Sequence, residues 1–407
     1  MPNGANFFKI TTENVHLLDL SFESVKRTTF FYNSPAPIAI PFGIKYLSFG
    51  PKFNNSIDDL PDSIVHLTLS GSFNQPIHSY PKSLSHLKIE SSFNHKLNFL
   101  PESLTHLTLG NEFNQPLNSL PNSLVYLRVG NAFNCRLDSL PPRLIQLIIG
   151  KSFNRTVDYL PNTITSIKFG AKFNQRVDYL PESLITGEFG DRFNQPIDNL
   201  PQKMTHLTLG TDFNYHVDHL PQSLTNLILG SKFNQRIDNL PPGLFYLKLG
   251  SDFDQAIHFL PRFLSELVLG DDFNYSIEFL PTSLTHLTLG LQFDQKVDSL
   301  KRLRNLSYLT FGDYFDQAID NSDGLDSSSL PESFLPHNLI QVVFGDDFNH
   351  RIDNLPLKIS KIILGKKFQQ TIEALPPHLS YLILSRGYNH SIDELALHID
   401  GLVVKRE

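Results

Sequence analysis

The sequence has no tryptophan, one cysteine (Cys135) and no run of 18 apolar residues. A single cysteine excludes a disulfide framework within the chain and a cysteine-rich zinc site. The missing apolar run argues against a membrane-spanning helix. Residues 1–10 show no basic segment leading into an apolar stretch, as a secretory signal would. These absences predict a cytoplasmic protein with no membrane partner.

The charge is also small. Lys and Arg number 34 against 41 Asp and Glu, which gives a formal net charge of −7. So mild an imbalance on a chain of 407 residues gives no electrostatic reason to expect a nucleic-acid partner. Phe (33) and Pro (27) are abundant instead, and both recur at regular spacing.

That regular spacing is an internal repeat. From Pro41 to Leu300 the chain runs as thirteen repeats of twenty residues without insertion, of which Pro101–Leu120 is an example. Counted from the Pro, positions 4, 7, 9, 13, 17 and 20 are mostly apolar, and position 10 is usually Gly. Position 13 is Phe in sixteen of seventeen repeats and Tyr388 in the last. A fixed period of this length predicts stacked repeats that share one continuous core.

The pattern is disturbed after Leu300. The fourteenth repeat lacks its Pro, and an insertion at residues 321–333 follows before the register returns at Pro336. The chain ends in half a repeat. The predicted organisation is an N-terminal cap (1–40), a repeat solenoid (41–395, with the insertion 321–333) and a C-terminal closing strand (396–407).

Each repeat reads as a short strand with two extended or turn-like sides. In His106–Leu109, polar residues and Leu alternate, which is the period of a strand with one buried face. Gly at position 10 favours a turn out of the strand, and Pro at position 1 favours an extended or turn conformation. No stretch of ten residues has helical periodicity. The predicted fold class is therefore mainly β: a solenoid with one parallel sheet, about seventeen repeats and little α-helix, with Phe at position 13 forming an internal column.

Position 14 is mostly Asn, as in Asn114, Asn134 and Asn154. A buried amide donates and accepts hydrogen bonds, so a ladder of inward-pointing Asn side chains is expected to pair backbone groups left open at the turns. A row of exposed polar contacts is the alternative.

The residues quoted so far also carry a family resemblance. Leu104, Leu107 and Leu109 resemble the strand segment of leucine-rich repeats, and Gly190–Pro201, with its Gly-x-x-Phe-Asn-x-x-Ile pattern, resembles the FNIP repeat. The resemblance covers about residues 41–395. The resemblance implies a leucine-rich-repeat-like fold. The family is known from social amoebae and giant DNA viruses, and for a viral member the predicted cytoplasmic location is the host cytoplasm. Some members carry an F-box ahead of the repeats, which implies a ubiquitin-ligase adaptor, but residues 7–41 show no F-box helices.

Positions 6 and 8 of each repeat are expected to face solvent from the sheet. In leucine-rich repeats this face is concave and usually binds the partner, and here these positions vary while the core positions hardly change. Aromatic and Arg side chains are favoured interface anchors. The predicted protein-binding residues are Tyr126, Arg128, His66, Lys88, His106, Lys168, His206, Tyr246, Lys248 and His286. A merely solvated sheet face is the alternative.

The chain offers little chemistry. The column His66, His86 and His106 invites a zinc hypothesis, but no carboxylate or backbone group that would orient the rings is identifiable, and duplication of one position explains it. Cys135 has no distinct His partner. The acids at position 18, such as Asp138, form a long row of equivalents, which is typical of a solvated edge or turn capping rather than a catalytic pair. No catalytic residue, metal or cofactor is predicted.

Two departures from the repeat carry their own expectations. The insertion 321–333 is acidic and rich in serine, and its order of residues does not match a calcium loop. We expect a flexible surface loop, with a phosphorylation or docking segment as the alternative. Gly187 replaces the core Leu at position 7, which predicts a cavity or a local kink.

Taken together, the sequence predicts a protein–protein interaction scaffold that is a monomer, binds a protein partner and is not an enzyme. The alternatives are a self-assembling structural component and, given an undetected F-box-like element, a ubiquitin-ligase adaptor.

Overall fold

The computed structural model describes residues 7–10, 29–32, 40, 42–321, 332–392, 399 and 401–406. Most of the predicted N-terminal cap (1–40) and nearly all of the insertion 321–333 lie outside these residues. The chain divides into two compact units. Unit 1 comprises Met1–Gln195 and Asn199–Met204, and unit 2 comprises Pro196–Asp198 and Thr205–Glu407.

The described part of unit 1 contains ten strands, each paired in parallel with the next along the chain. They are β1 (Phe7–Ile10), β2 (Thr29–Tyr32), β3 (Tyr46–Phe49), β4 (His66–Gly71), β5 (His86–Ser91), β6 (His106–Leu109), β7 (Tyr126–Val129), β8 (Gln146–Ile149), β9 (Ser166–Lys168) and β10 (Thr186–Glu188).

Unit 2 repeats this arrangement with ten described strands, again parallel and paired in chain order. They are β11 (His206–Thr208), β12 (Asn226–Ile228), β13 (Tyr246–Lys248), β14 (Glu266–Val268), β15 (His286–Thr288), β16 (Tyr308–Thr310), β17 (Gln341–Val343), β18 (Lys361–Ile363), β19 (Tyr381–Leu384) and β20 (Val403–Arg406). A 3-10 helix spans Asp298–Arg302, and no α-helix occurs among the described residues. The mainly β fold with parallel strands and almost no helix is confirmed.

The core lies behind the strands. In β6, Leu107 and Leu109 are buried while His106 and Thr108 reach the surface, as the alternation predicts. Behind them the position-13 rings form a buried stack: Phe73 and Phe93 have centroids 5.9 Å apart, and Phe233 and Phe253 in unit 2 are 6.1 Å apart. These spacings lie in the favourable range for aromatic pairs. The predicted internal Phe column is confirmed.

Glycine at position 10 is required for a reason other than the expected freedom to turn. A Cβ on Gly130 would lie 2.2 Å from the carbonyl oxygen of Gly110, and one on Gly250 would lie 2.0 Å from that of Gly230. Backbones of consecutive repeats therefore meet here more closely than any side chain permits. Where Ser70 replaces this glycine, β4 runs two residues further than β3 and the following Gly71 takes a left-handed φ of 63°.

The position-14 ladder is present, but at the surface. The backbone N–H of Asn174 donates to Oδ1 of Asn154 at 2.9 Å, and Nε2 of Gln175 donates to the same oxygen at 2.9 Å. Asn154 is exposed, so the expected inward orientation is wrong. The amide oxygen accepts hydrogen bonds from the next repeat at a solvent-exposed corner. Asp294 does the same, accepting the N–H of Asp316 at 3.0 Å.

Asp58 and Asp353, both at position 18, cap turns in a similar way. Oδ1 of Asp58 accepts the backbone N–H groups of His78 and Ser79, at 2.8 and 3.0 Å. Burial acts to raise the pKa of Asp58, but the hydrogen bonds from His78, Ser56 and Ser79 together hold that pKa below its ordinary value. This contact supports the turn-capping interpretation of the row.

Gly187 leaves no cavity. Its missing side chain is replaced by Met204, whose Cε lies 2.6 Å from the place of a Cβ, and Cε2 of Phe189 lies 3.3 Å away. Strand β10 keeps its register through this point, with Gly187 opposite Ile167. The expected void is therefore wrong, because a flexible thioether chain from the following repeat fills it.

Candidate protein-binding face

All ten predicted binding residues lie on strands, at positions whose side chains leave the core. His66, His106, Tyr126 and Tyr246 are half-buried, and Arg128, Lys88, Lys168, His206, Lys248 and His286 are exposed. The alternation of each strand places them on the side opposite the buried leucines. Exposure alone does not make a site, so their mutual contacts decide which belong together.

Five of the position-6 rings in unit 1 form one stack, here called the aromatic column: Tyr46, His66, His86, His106 and Tyr126. Successive ring centroids are 4.6, 4.0, 4.1 and 5.6 Å apart, and the planes are tilted by 8–24°. The parallel register brings the rings together, because strands β3 to β7 align these five residues side by side.

The middle ring of the column, His86, is uncharged at neutral pH. Burial, followed by the positive charge of His66 and His106, lowers the pKa of His86 to about 4. Burial and His106 also lower the pKa of His66. Nδ1 of His86 lies 2.8 Å from the Ser85 hydroxyl, and Nδ1 of His106 lies 2.9 Å from that of Thr105. Neutral imidazoles pack at this distance without mutual repulsion.

This stacking differs from the geometry of a zinc site. Rings that face one another direct their nitrogen atoms side by side, whereas a zinc ion needs nitrogens converging on one point. Across the described part of the chain, no group of three His, Cys, Asp or Glu side chains is placed to hold a metal.

Several charged side chains on the sheet face of unit 1 are paired. Nζ of Lys88 lies 2.8 Å from Oε1 of Glu90, and Lys168 pairs with Glu188. Arg128 lies between Thr108 and Ile148 on neighbouring strands and has no ion-pair partner among the described residues. Tyr126 and Arg128 share strand β7. The column therefore ends beside one uncompensated cation.

Unit 2 carries smaller groups of the same kind. His286 stacks on Tyr308 with centroids 4.4 Å apart. Tyr246 lies opposite Glu266 in the register, and burial and then that carboxylate raise the pKa of Tyr246. Lys248 lies between Ile228 and Val268. His206 has Nδ1 2.8 Å from the Thr205 hydroxyl, and its ring is exposed.

Sequence reasoning missed part of the site. Tyr46 and His86 belong to the aromatic column, and Tyr308 belongs to the pair with His286, yet none was among the predicted binding residues. Their shared position 6 was the available signal. A second group, Phe259, Phe263 and Phe279, lies off the sheet face with 67, 56 and 58% of each residue exposed.

Cys135 does not resemble a nucleophile. Its Sγ lies 3.4 Å from Oδ1 of Asn114, and burial, only partly opposed by Arg155, raises the pKa of the thiol. A raised pKa keeps the sulfur protonated and unreactive at neutral pH. Among the described residues, no helix has the length and apolar character that crossing a membrane requires.

With the fold and face described, comparison with known proteins places the chain in a family. Seven matches to the FNIP Repeat family, of which the first three overlap, run from residue 53 to residue 292, more than half of the chain. The chain belongs to the FNIP repeat family. The matched pairs of repeats are 53–92, 73–112, 93–132, 133–172, 173–212, 213–252 and 253–292. No curated protein matches the sequence.

Solved structures similar to this FNIP repeat protein are leucine-rich-repeat proteins. CroV588, a giant-virus protein described as a novel circular leucine-rich-repeat structure, is 30% identical, with a TM-score of 0.57 over 93% of this chain and 75% of its own. Protein LIC12759 of Leptospira interrogans is 15% identical, with a TM-score of 0.51 over 98% of this chain and 99% of its own. An internalin of Listeria monocytogenes is 16% identical, with a TM-score of 0.51 over 75% and 87%. The last two show the fold alone.

Proposed function

We propose that this FNIP repeat protein is an interaction scaffold that binds a protein partner through the sheet face of unit 1, centred on Tyr126 and Arg128. The observation that carries the proposal is the aromatic column ending beside an unpaired guanidinium. Tyr and Arg dominate the residues that contribute most to binding at protein interfaces. The repeat fold supports a scaffold because it builds a long row of outward side chains.

The column also sets the chemistry of the partner. Five rings held against one another lose little conformational entropy on binding, because their rotamers are already restricted. Their ring edges offer apolar contact with isolated hydrogen-bonding atoms. Arg128 adds a bidentate donor that suits a carboxylate. The partner segment therefore presents an Asp or Glu side chain next to an apolar or aromatic one.

Lys88 and Lys168 contribute less to this proposal. Each is held by a carboxylate, at Glu90 and Glu188, so a partner has to displace that pairing before the ammonium is available. Exposed pairs of this kind are weak, and these lysines act at the rim of the face. His66 and His106 act as members of the column.

The test is affinity capture with the double variant Tyr126→Ala/Arg128→Ala. The matched control is Tyr159→Ala/Arg143→Ala, which removes the same two residue types at exposed places off the strands of unit 1. We expect proteins captured by the wild type and the control to be lost by the first variant, with a fall in affinity of tenfold or more for a purified partner. Equal capture by both variants would contradict the proposal that this face is the binding site.

The proposal extends to the state of the protein. We propose that it acts as a monomer in the cytoplasm and without catalytic activity, since its single cysteine suits a reducing compartment and Asp58 and Asp353 of the position-18 row cap turns. Analytical ultracentrifugation at micromolar concentration checks the first part: a single species near 46.2 kDa is expected, and a stable dimer contradicts it.

A further inference from the structure

A basic cavity opens in unit 2, away from the sheet face. It measures about 510 Å³, within the roughly 300–1,000 Å³ of small-ligand sites. Its walls include Lys301, Arg302, Arg304, Glu332 and His337. Three cationic side chains therefore meet one carboxylate, in a chain whose overall charge is −7. So local an excess of positive charge favours an anionic ligand.

The repeat does not impose these residues. Seven of the thirteen repeats from Pro41 to Leu300 begin with Pro-x-Ser, as in Pro281-Thr-Ser283, and all thirteen begin with Pro. Here Lys301 and Arg302 are two extra residues in a 3-10 helix, and Arg304 follows Leu303, which stands in place of the Pro. In a repeat protein the recurring residues serve the stack, so a cluster found once has to be explained by something other than stacking.

The contacts leave cationic groups available. Nε of Arg302 donates to the carbonyl oxygen of Ser299 at 3.4 Å and Nη2 donates to that of Glu278, which fixes the guanidinium at the wall. Nζ of Lys301 is 3.5 Å from both carboxylate oxygens of Glu332, a long pairing. The guanidinium of the exposed Arg304 has no ion-pair or hydrogen-bond partner among the described residues.

We propose that this cavity is a binding site for the phosphate monoester of a phosphoserine side chain. A phosphoserine carries about −1.5 to −2 charges at neutral pH and three acceptor oxygens. Three cations less one carboxylate match that charge, whereas a single carboxylate ligand would leave one cation uncompensated. Arg304 supplies the planar fork that binds phosphate oxygens in pairs, and Lys301 adds a point charge.

The nearest serines in sequence belong to this chain. The structure describes the chain up to Asn321 and again from Glu332. The serines of the sequence between these two residues are Ser322, Ser327, Ser328 and Ser329. The two ends are joined at the cavity: Asp320 and Ser333 form an antiparallel bridge, and the N–H of Glu332 donates to Oδ1 of Asn321 at 2.5 Å. A phosphoserine of a separate protein is the second source of the same ligand group.

The first experiment is calorimetric titration of the unphosphorylated full chain with O-phospho-L-serine, with serine and inorganic phosphate as reference ligands. The variant is Lys301→Gln/Arg304→Gln, and the matched control is Arg386→Gln, an exposed arginine of unit 2 outside the cavity. We expect saturable binding by the wild type and control, and affinity at least tenfold weaker in the variant. Circular dichroism and thermal unfolding confirm that the variant is folded.

The proposal is overturned by the absence of saturable heat with phosphoserine, or by equal affinity in wild type and variant. A second arm identifies the source, using full-length protein with phosphoserine incorporated at Ser328. If the chain fills its own cavity, added O-phospho-L-serine binds at least tenfold more weakly than to unmodified protein. Unchanged affinity supports the same site with a ligand supplied by another protein.

Discussion

His66 and His86 stack face to face on neighbouring strands, with ring centroids 4.0 Å apart, although twenty residues separate them along the chain. Two protonated imidazoles would repel one another at this distance, and the pKa of each ring is lowered. Lys88 and Glu90, an ion pair on the strand of His86, and the cation of Arg128 are the charged side chains of strands β4 to β7. The stack therefore links the candidate binding face to pH.

The first prediction concerns acid. The pKa of His86 is about 4 in the folded chain and about 6.5 in an unfolded one. Between these values the unfolded state binds more protons, so the stability from the neutral ring is fully present above about pH 6.5 and is lost as the pH falls towards 4. Urea unfolding of the wild type at pH 7.5 and 5.0 should show a lower midpoint at pH 5.0.

Replacement of the ring isolates this effect. His86→Gln should reduce the difference between the two midpoints, because the group with the depressed pKa is gone. The exposed His378→Gln, in unit 2, is the matched control and should leave the difference unchanged. An undiminished pH dependence in His86→Gln would show that other groups carry it.

The second prediction concerns the close approach of backbones at position 10. Gly130→Ala places a methyl group 2.2 Å from a backbone oxygen that has no room to move, and overpacking of this kind costs about 1–3 kcal/mol or more. Gly243→Ala is the control, since its nearest neighbour is 4.0 Å away and its φ is ordinary. We expect it to be neutral or to stabilise by about 0.4–1 kcal/mol. Chemical denaturation measures both, and similar losses at the two sites would contradict the packing argument.

The third prediction concerns Gly187 and Met204. Gly187→Leu has to displace the Met204 side chain and should destabilise by about 1–3 kcal/mol, and Met204→Ala alone should cost about 2–5 kcal/mol. The double variant should lose less than the sum, because the new Leu occupies the space that Met204 vacates. Denaturation midpoints of the four proteins give the coupling. Strict additivity would mean that the two side chains do not share one space.

The fourth prediction concerns the exposed Asn ladder. Asn154→Ala removes the acceptor of two donors, the Asn174 N–H and the Gln175 amide, and should destabilise by about 0.5–1.5 kcal/mol. Asn154→Asp retains an acceptor oxygen, as Asp294 does towards Asp316, and should retain most of the stability. The same unfolding assay compares them. If Asp and Ala are equally damaging, the oxygen is not the stabilising group.

The features predictable from sequence were those that one repeat contains. The strand positions, the buried leucines and the Phe column all follow from alternation and recurrence, and the structure confirms them. The errors concern relations between repeats. Asn154 was placed inside because an amide in a regular row resembles a buried ladder, yet the N–H it serves lies at an open corner. Gly187 was expected to leave a void because the reach of Met204 from the next repeat is invisible in a single repeat.

The members of the candidate binding face were also only partly predicted from the sequence. Tyr126 and Arg128 were predicted from their residue types and position, whereas Tyr46 and His86 were left out of the predicted binding residues although they share position 6 with Tyr126. Pairing of Lys88 with Glu90 was likewise missed, because Glu90 occupies a place where most repeats have glycine.

The amino-acid sequence by itself determined the twenty-residue period, the parallel strands, the family and the set of side chains that face outward, because each depends on the order of residues within one repeat. Only the tertiary structure decided which of those side chains form the aromatic column, that glycine is needed for backbone contact, and that Lys301, Arg304 and His337 line one cavity. The physical reason is register: strand pairing converts separations of twenty or more residues into distances of a few ångströms, and side-chain conformation then settles which groups touch.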